Sequence, residues 1–357
     1  MKSTVAKICV AVAGGGLFLY ATYLPFRKAV NRLHPSWKRN SRVFEFPREL
    51  EEEEEKNLFV SATIIRDGCD VIWREKSPEP PPELFGPLPE GTVVFVNLYH
   101  MKRFVAEVLP KIVSPIVLVA GCDTRSPSVP GHEQLYTSPN ILHAFIQNCD
   151  FPHPEERVTV IPVGLNFHKL DPASDNQSRD MGLPSRPGNQ QLTLKALREE
   201  VGPLKERPLS VYCNFHLNMD TFLRDPQAWT RRNARQEALD ALRGRPQVEF
   251  EKKQIPRNVV WQRYQQHSFE ASPQGNGIDC HRTWEALLFK TIPIVKTSSI
   301  DSVFEDLPVA IVEDWSEVTP DRLAAWREEF AEAFEGPIHP KLYSQYWLDL
   351  FQPWKKD

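Results

Sequence analysis

An α/β fold with a parallel sheet in each of two domains is what this sequence predicts, on three observations. Short β-branched apolar runs, such as 92–97 and 115–120, end in polar residues and do not alternate, as expected of strands buried on both faces. Stretches with helical spacing separate such runs along the chain, and alternating strand and helix implies a parallel sheet with helices outside. The chain's 357 residues exceed one ordinary domain and suit two.

Taken in order, residues 8–26 are nearly free of charge, with Lys2 and Lys7 before them and Arg27, Lys28 and Arg32 after. About 19 residues of helix span roughly 28 Å, close to a bilayer core. The expectation is an uncleaved signal-anchor helix, with a cytoplasmic tail, over 1–30. A cleaved signal peptide is the main rival, but no small-x-small cleavage site follows the apolar run. A buried soluble helix is the third reading. Residues 31–57, with the acidic run 51–55, read as a stalk. Positive charge is denser after the apolar segment than before it, which by the positive-inside rule places the body in the cytosol.

The first domain is expected over 58–190. Short strands are expected at 58–65 and 70–73, a proline-rich loop at 78–82, strands at 92–97 and 115–120, helices at 101–112 and 139–148, and a strand at 157–163. Residues 171–191, rich in Asp, Asn, Ser, Pro and Gly, read as the linker. The second domain is expected over 200–335. Its strands are 209–214, 247–251, 268–271, 292–296 and 309–312, and its helices 231–243, 257–266, 279–289 and 320–334. Five strands interleaved with helices describe a doubly wound sheet. A C-terminal helix, with its periodicity at 341–351, occupies 336–357.

Composition excludes several classes. With a formal net charge of −4, no basic field points to nucleic acid. The six cysteines form no Cys-x-x-Cys pair, so neither a zinc site nor a redox motif is expected. Asn176-Gln-Ser is the single glycosylation sequon.

The most informative stretch is the loop Ser272-Pro-Gln-Gly-Asn-Gly-Ile-Asp and the helix after it. Gly275 and Gly277, around Asn276, permit positive φ and close backbone approach. Asp279 suits an N-cap, and the free N–H groups of a helix start favour an anion. Ligands of open α/β sheets bind at the carboxyl ends of the strands, where this loop falls. Trp284, Leu287 and Leu288 belong to the core face, while His281 and Glu285, four apart, share another. Glu285 has the chemistry to accept two hydrogen bonds from a ribose diol, and His281 or Arg282 to meet a diphosphate. A capped surface helix with an ordinary ion pair is the competing reading.

Other candidates are spread along the chain. Arg231, Arg232 and Arg235 open the helix expected at 231–243, where cations oppose the dipole and a bound anion would account for them. A solvated basic face fits them equally. Asn214 and His216 follow a strand end, as ligand contacts or as turn formers. A transfer reaction needs a general base, and Asp123, His100 and His132 lie beyond strands of the first half. Each also reads as a structural polar residue, and His143 and His168 are weaker candidates.

The stretch from Ser272 to Leu287, followed by Ile292-Pro-Ile-Val, resembles the exostosin-type glycosyltransferase signature: a Pro-x-Gly loop, an Arg, a Glu-Ala and a Pro-Val-Val strand in this order. Asn214-Phe-His, Asn148-Cys-Asp and Ile161-Pro-Val-Gly-Leu extend the likeness over most of 93–312. Phe289-Lys-Thr departs from the Leu-Gly-Cys of many members, at a position of packing. The resemblance implies a GT-B architecture, two Rossmann-like doubly wound domains facing a cleft. A UDP- or GDP-linked nucleotide sugar would be held by the C-terminal domain and a glycan or glycoprotein acceptor by the other, with no tightly bound cofactor. Glu285 would meet the donor ribose. Ser272, Gly275, Asn276, Gly277 and Arg282 would meet the diphosphate. The family habit is a type II protein of the Golgi or ER with a lumenal body, against the flanking charges. No metal ligands are expected, since no Asp-x-Asp occurs; helix termini and basic side chains can stabilise a leaving diphosphate instead. A catalytically inactive, membrane-anchored protein that keeps the fold to bind glycan or a partner is the alternative. A methyltransferase or dehydrogenase reading lacks its glycine-rich turn after Val96-Asn-Leu-Tyr or Cys213-Asn-Phe-His.

Overall fold

Ten short strands form two parallel five-stranded sheets in a computed structural model that describes residues 58–167, 187–217, 226–252, 255 and 257–355. The first sheet holds β1 (Val71–Trp73), β2 (Thr92–Asn97), β3 (Ile116–Gly121), β4 (Ile141–Ile146) and β5 (Val158–Val160), in that spatial order. Every residue of β2 and β3 is buried, which is why they carry Val, Ile, Leu and Phe without alternation. The second sheet holds β6 (Val211–Cys213), β7 (Val248–Phe250), β8 (Phe269–Ala271), β9 (Ile292–Lys296) and β10 (Ala310–Val312), in the order β10-β9-β8-β6-β7.

The two orders differ in a way that matters for ligand binding. The second sheet is doubly wound as expected, because its order reverses where β6 lies beside both β7 and β8. The first sheet is not: each strand simply adds beside the one before it. Right-handed crossovers in a sequential order put all connections on one face. Here the C-terminal segment supplies cover on the face of β4 that carries His143 and Phe145, with Trp354 stacked on His143 and Phe351 against Phe145.

Several expected elements change type. Residues 58–65 are not a strand. Phe59 and Ser61 make isolated bridges to Tyr343 and Gly164, and helix α1 (Ala62–Asp67) follows. The expected helix 139–148 is strand β4, since Ile141-Leu-His-Ala-Phe-Ile is a short apolar run buried between β3 and β5. Residues 98–111 are helical, in mixed turns that include α2 (Met101–Arg103), and the short helix α3 (Gln134–Thr137) follows β3.

The expected linker ends early, at helix α4 (Pro187–Glu199). Leu194 and Leu197 are buried, and Arg198 donates to the carbonyls of Leu287 and Leu288. Helices α5 (Pro226–Leu242), α6 (Arg257–Tyr264), α7 (His281–Leu288) and α8 (Pro320–Phe330) serve the second sheet. The C-terminal helix is confined to α9 (Ser344–Asp349) between two 3-10 turns with Pro340 and Pro353. It returns to the start of the first half, where Ser344 N–H donates to Leu58 O and Val60 N–H to Leu342 O.

Among the described residues no helix is long and apolar enough to cross a membrane. The anchor expected at 8–26, the stalk, the sequon at Asn176 and His168 all lie outside the described residues.

Candidate active site

The carboxyl ends of the two sheets border one cavity of about 820 Å³. It lies where the second sheet's order reverses, the place where open α/β sheets take ligands. Asn97 and Asp123, at and beyond the ends of β2 and β3, face it from the first sheet. Asn214 beyond β6, Glu251 beyond β7 and the loop beyond β8 face it from the second.

The loop is held in place by two guanidinium groups. Arg235 donates to Gln274 O at 3.2 Å and to His216 O at 2.7 Å. Arg282 donates to Pro273 O at 2.6 Å. Arg235 is buried, and burial followed by Arg282 pushes its pKa down to about 10, so it stays a cation. Its helix begins at Pro226, well before 231, so the argument from cations at a helix start falls. Arg235 reaches the cavity, whereas the Arg232 side chain lies outside the described residues. Ser272 is buried away from the cavity, its hydroxyl 2.8 Å from Thr283 Oγ1.

Neither Gly275 nor Gly277 adopts positive φ. Both line the cavity with Asn276, but Gly277 has a second use: a Cβ there would stand 2.7 Å from Asn148 Oδ1. The missing side chain lets the loop press against the first half. Asn148 Oδ1 also accepts the Asp279 N–H at 3.0 Å.

Asp279 is not the N-cap; Cys280 holds that position. The buried Asp279 carboxylate accepts from Val163 N–H at 2.7 Å, Cys280 N–H at 2.7 Å and Trp284 Nε1–H at 2.9 Å. The helix start therefore already holds an anion of its own. Burial pushes the Asp279 carboxyl up to about 6 against these three donors. His281 is not a phosphate-binding cation either. Burial, then Arg257, pushes its pKa down to about 4, and it meets Gly164 O at 2.6 Å through Nδ1. A carbonyl only accepts, so the neutral ring carries its proton on Nδ1.

Glu285 faces the cavity almost fully buried, and Arg257 donates to its Oε1 through Nε at 2.6 Å and through Nη2. Arg257 Nη1 also donates to Asn166 O at 3.3 Å, so this pair too touches the first half. Arg257 was not among the sequence candidates. Its signal was its address, the first residue of a helix beyond the carboxyl end of β7.

Of the base candidates among the described residues, only Asp123 borders the cavity. Its Oδ1 accepts Arg125 N–H at 3.0 Å and its Oδ2 accepts Arg125 Nη1 at 2.6 Å. His100 is spent elsewhere: Nε2 lies 3.0 Å from Arg74 O and 3.1 Å from Glu75 O, and the ring stacks on Trp73 at 4.3 Å. Two carbonyl acceptors require the proton on Nε2, so His100 pins the 74–75 backbone instead of taking protons from a substrate. His132 Nδ1 is 3.0 Å from Val129 O and His143 Nε2 is 2.8 Å from Thr159 Oγ1, both away from the cavity. Asn214 does face it, donating to Tyr264 OH at 3.1 Å, and so does His216, whose pKa burial and the two arginines lower.

Arg66, Arg74 and Lys76 add positive charge from the first half. Glu270, on β8, has 0% exposure and no hydrogen-bond partner for either oxygen among the described residues. Burial raises its pKa well above the ordinary carboxyl value, which favours the protonated form. Both features escape sequence reading because they depend on which strands become neighbours. Among the described residues no cluster of acids, histidines and cysteines has the form of a metal site, and the cysteines are free thiols.

No family model matches the chain, and no curated protein matches it. Among solved structures it is similar to an α,α-trehalose-phosphate synthase (UDP-forming) from Burkholderia vietnamiensis, with TM-score 0.40 and 13% identity over 74% of this chain and 72% of that one. It is also similar to an α,α-trehalose-phosphate synthase (UDP-forming) from Burkholderia xenovorans in complex with glucose-6-phosphate, with TM-score 0.34 and 12% identity over 74% of this chain and 73% of that one.

Proposed function

We infer that the chain is a glycosyltransferase that moves a sugar from a nucleotide sugar to a glycan or glycoprotein acceptor. The observation that carries the reading is the gathering of Arg235, Arg257, Arg282 and Glu285 at the reversal point of the second sheet, across one cavity from Asp123. The exostosin-type motif covers two of these residues, Arg282 and Glu285, which supports that family over other transferases.

In this reading the donor lies against the second sheet. Glu285, its Oε1 held by Arg257, accepts from the ribose hydroxyls through its remaining capacity. Arg235 and Arg282 supply fixed positive charge to the leaving diphosphate, and preorganised cations that meet a developing anion are among the strongest catalytic devices an enzyme has. Asp123 accepts the acceptor hydroxyl's proton as that oxygen attacks the anomeric carbon and the bond to the diphosphate breaks. Arg125 holds the Asp123 carboxylate in place between turnovers. Anchoring by residues 8–26 with a lumenal body belongs to the same proposal.

Thermal unfolding with UDP, GDP and their sugar conjugates tests the donor site, because a ligand that binds only the folded state raises apparent stability. A rise is expected with one nucleotide class, and Glu285→Ala should weaken its binding about 10- to 100-fold, as loss of a charge-assisted hydrogen bond does. No nucleotide response from the wild type would leave the fold as a binding module.

A further inference from the structure

The cavity does not end at the first sheet. Glu75 and Lys76 line it on one side and, on the other, line a groove of about 710 Å³ with Tyr99, His100, Lys102 and Arg103. That volume is within the range of about 300–1,000 Å³ that ligand sites occupy. Hydrogen bonds pin the backbone of the ridge between the two spaces. His100 holds the carbonyls of Arg74 and Glu75, and Trp73 Nε1–H donates to Ser77 O at 3.0 Å.

Tyr99 is the most conspicuous feature of the groove. It is 52% exposed, whereas most aromatic rings among the described residues are buried. Its backbone N–H is held by Asn97 Oδ1 at 2.9 Å, on a residue that itself lines the cavity. The Arg125 guanidinium stacks over its ring at 4.4 Å, and Arg125 in turn is paired with Asp123. The Tyr99 and His100 rings meet at right angles, centroids 5.0 Å apart, and the exposed part of Tyr99 lies in the groove wall. Glu75, Lys76, Lys102 and Glu107 bring acceptors and donors to the groove beside the apolar Pro78 and Ala106, and Arg103 is already tied to Glu79 and Glu107. An exposed aromatic ring among polar acceptors and donors suits the C–H faces and hydroxyls of a saccharide.

We propose that this groove is an acceptor-extension subsite: the acceptor is an oligosaccharide chain whose sugars beyond the reacting one cross the 75–76 ridge and stack on Tyr99. The reacting end of that chain rests on the transferase reading above, while binding in the groove does not. Tyr99 thereby determines acceptor length and takes no part in the donor site.

The probes are cello-, xylo-, chito- and galacto-oligosaccharides and oligogalacturonides of one to six residues, titrated into the full chain by saturation-transfer NMR, with nucleotide-induced thermal shifts measured in parallel. In at least one series affinity should rise from monomer to tetramer. Tyr99→Ala should remove that gain, about three- to tenfold, and Tyr99→Phe should keep it. Neither substitution should change the nucleotide response. Affinity independent of length in every series, or a length gain that survives Tyr99→Ala, overturns the subsite. A Tyr99-dependent length gain without any nucleotide response upholds the groove and removes the transferase reading. A nucleotide response without a length gain does the reverse.

Discussion

The Asp279 carboxylate accepts the backbone N–H of Val163, 116 residues earlier in the chain, at 2.7 Å. Two residues on, His281 makes the matching contact to Gly164 O. The loop that the sequence marks as a ligand site is thus also the catch that joins the two sheets, and Asp279 and His281 are both shifted by the burial this requires.

Those two shifts act on stability in opposite directions. The Asp279 pKa is raised from 3.8 to about 6, so its folded form binds a proton more tightly and its contribution to stability grows as pH falls from about 6 to 3.8. The His281 pKa is lowered from 6.5 to about 4, so its contribution is present above 6.5 and is lost as pH falls toward 4. Each shift corresponds to about 3 kcal/mol. They nearly cancel in the wild type. Relative to it, Asp279→Asn should lose stability on acidification from pH 6.5 to 4, and His281→Gln should gain. Urea unfolding midpoints across that range check both signs; parallel curves for all three proteins would refute the assignment.

Gly164 and Gly277 should tolerate alanine unequally. Gly164 has φ +62 and a Cβ there would stand 2.3 Å from Val60 O, a backbone atom. At Gly277 the obstacle is the Asn148 side chain, which can shift. Gly277→Ala should cost about 1–3 kcal/mol and Gly164→Ala more, from strain added to overpacking. Thermal unfolding of the two variants ranks them.

Arg235 bridges two carbonyls that belong to different strand ends, His216 O and Gln274 O. A lysine is a point charge and cannot span both. Arg235→Lys should therefore keep the charge and still lose about 1–3 kcal/mol, with nucleotide binding weakened alongside. A lysine variant that matches the wild type in both measurements would show that charge alone is needed.

In the transferase reading, Asp123→Asn separates base from binding site. It removes the carboxylate but not the shape, so transfer should fall about 10²- to 10⁴-fold while the nucleotide-induced thermal shift is retained. An unchanged transfer rate would move the base elsewhere, with Glu75 and Glu251 also on the cavity wall.

Much of the second half was legible along the chain. Each expected strand from 209 to 312 is present, because each is a local apolar run closed by polar or turn residues, and the 272–285 segment does border the cavity. The first half was harder. Residues 139–148 lack a periodicity that tells a buried strand from a helix, and only pairing with β3 and β5 decides it. Charge was readable, but not what it meets: Glu285 and Arg257, like Asp279 and Val163, are distant in sequence.

The sequence by itself determined the alternation of strand and helix, hence two parallel sheets, and marked the loop from 272 to 279 as a candidate ligand site. Those properties follow from local side-chain pattern and from backbone freedom. Tertiary structure decided the sequential order of the first sheet, the C-terminal return onto β4, the burial that favours the neutral forms of His281 and Glu270, and the shared ridge between the cavity and the Tyr99 groove. Each of these depends on which surfaces are brought together and stripped of water, and desolvation is a property of the packed molecule, not of any one segment of the chain.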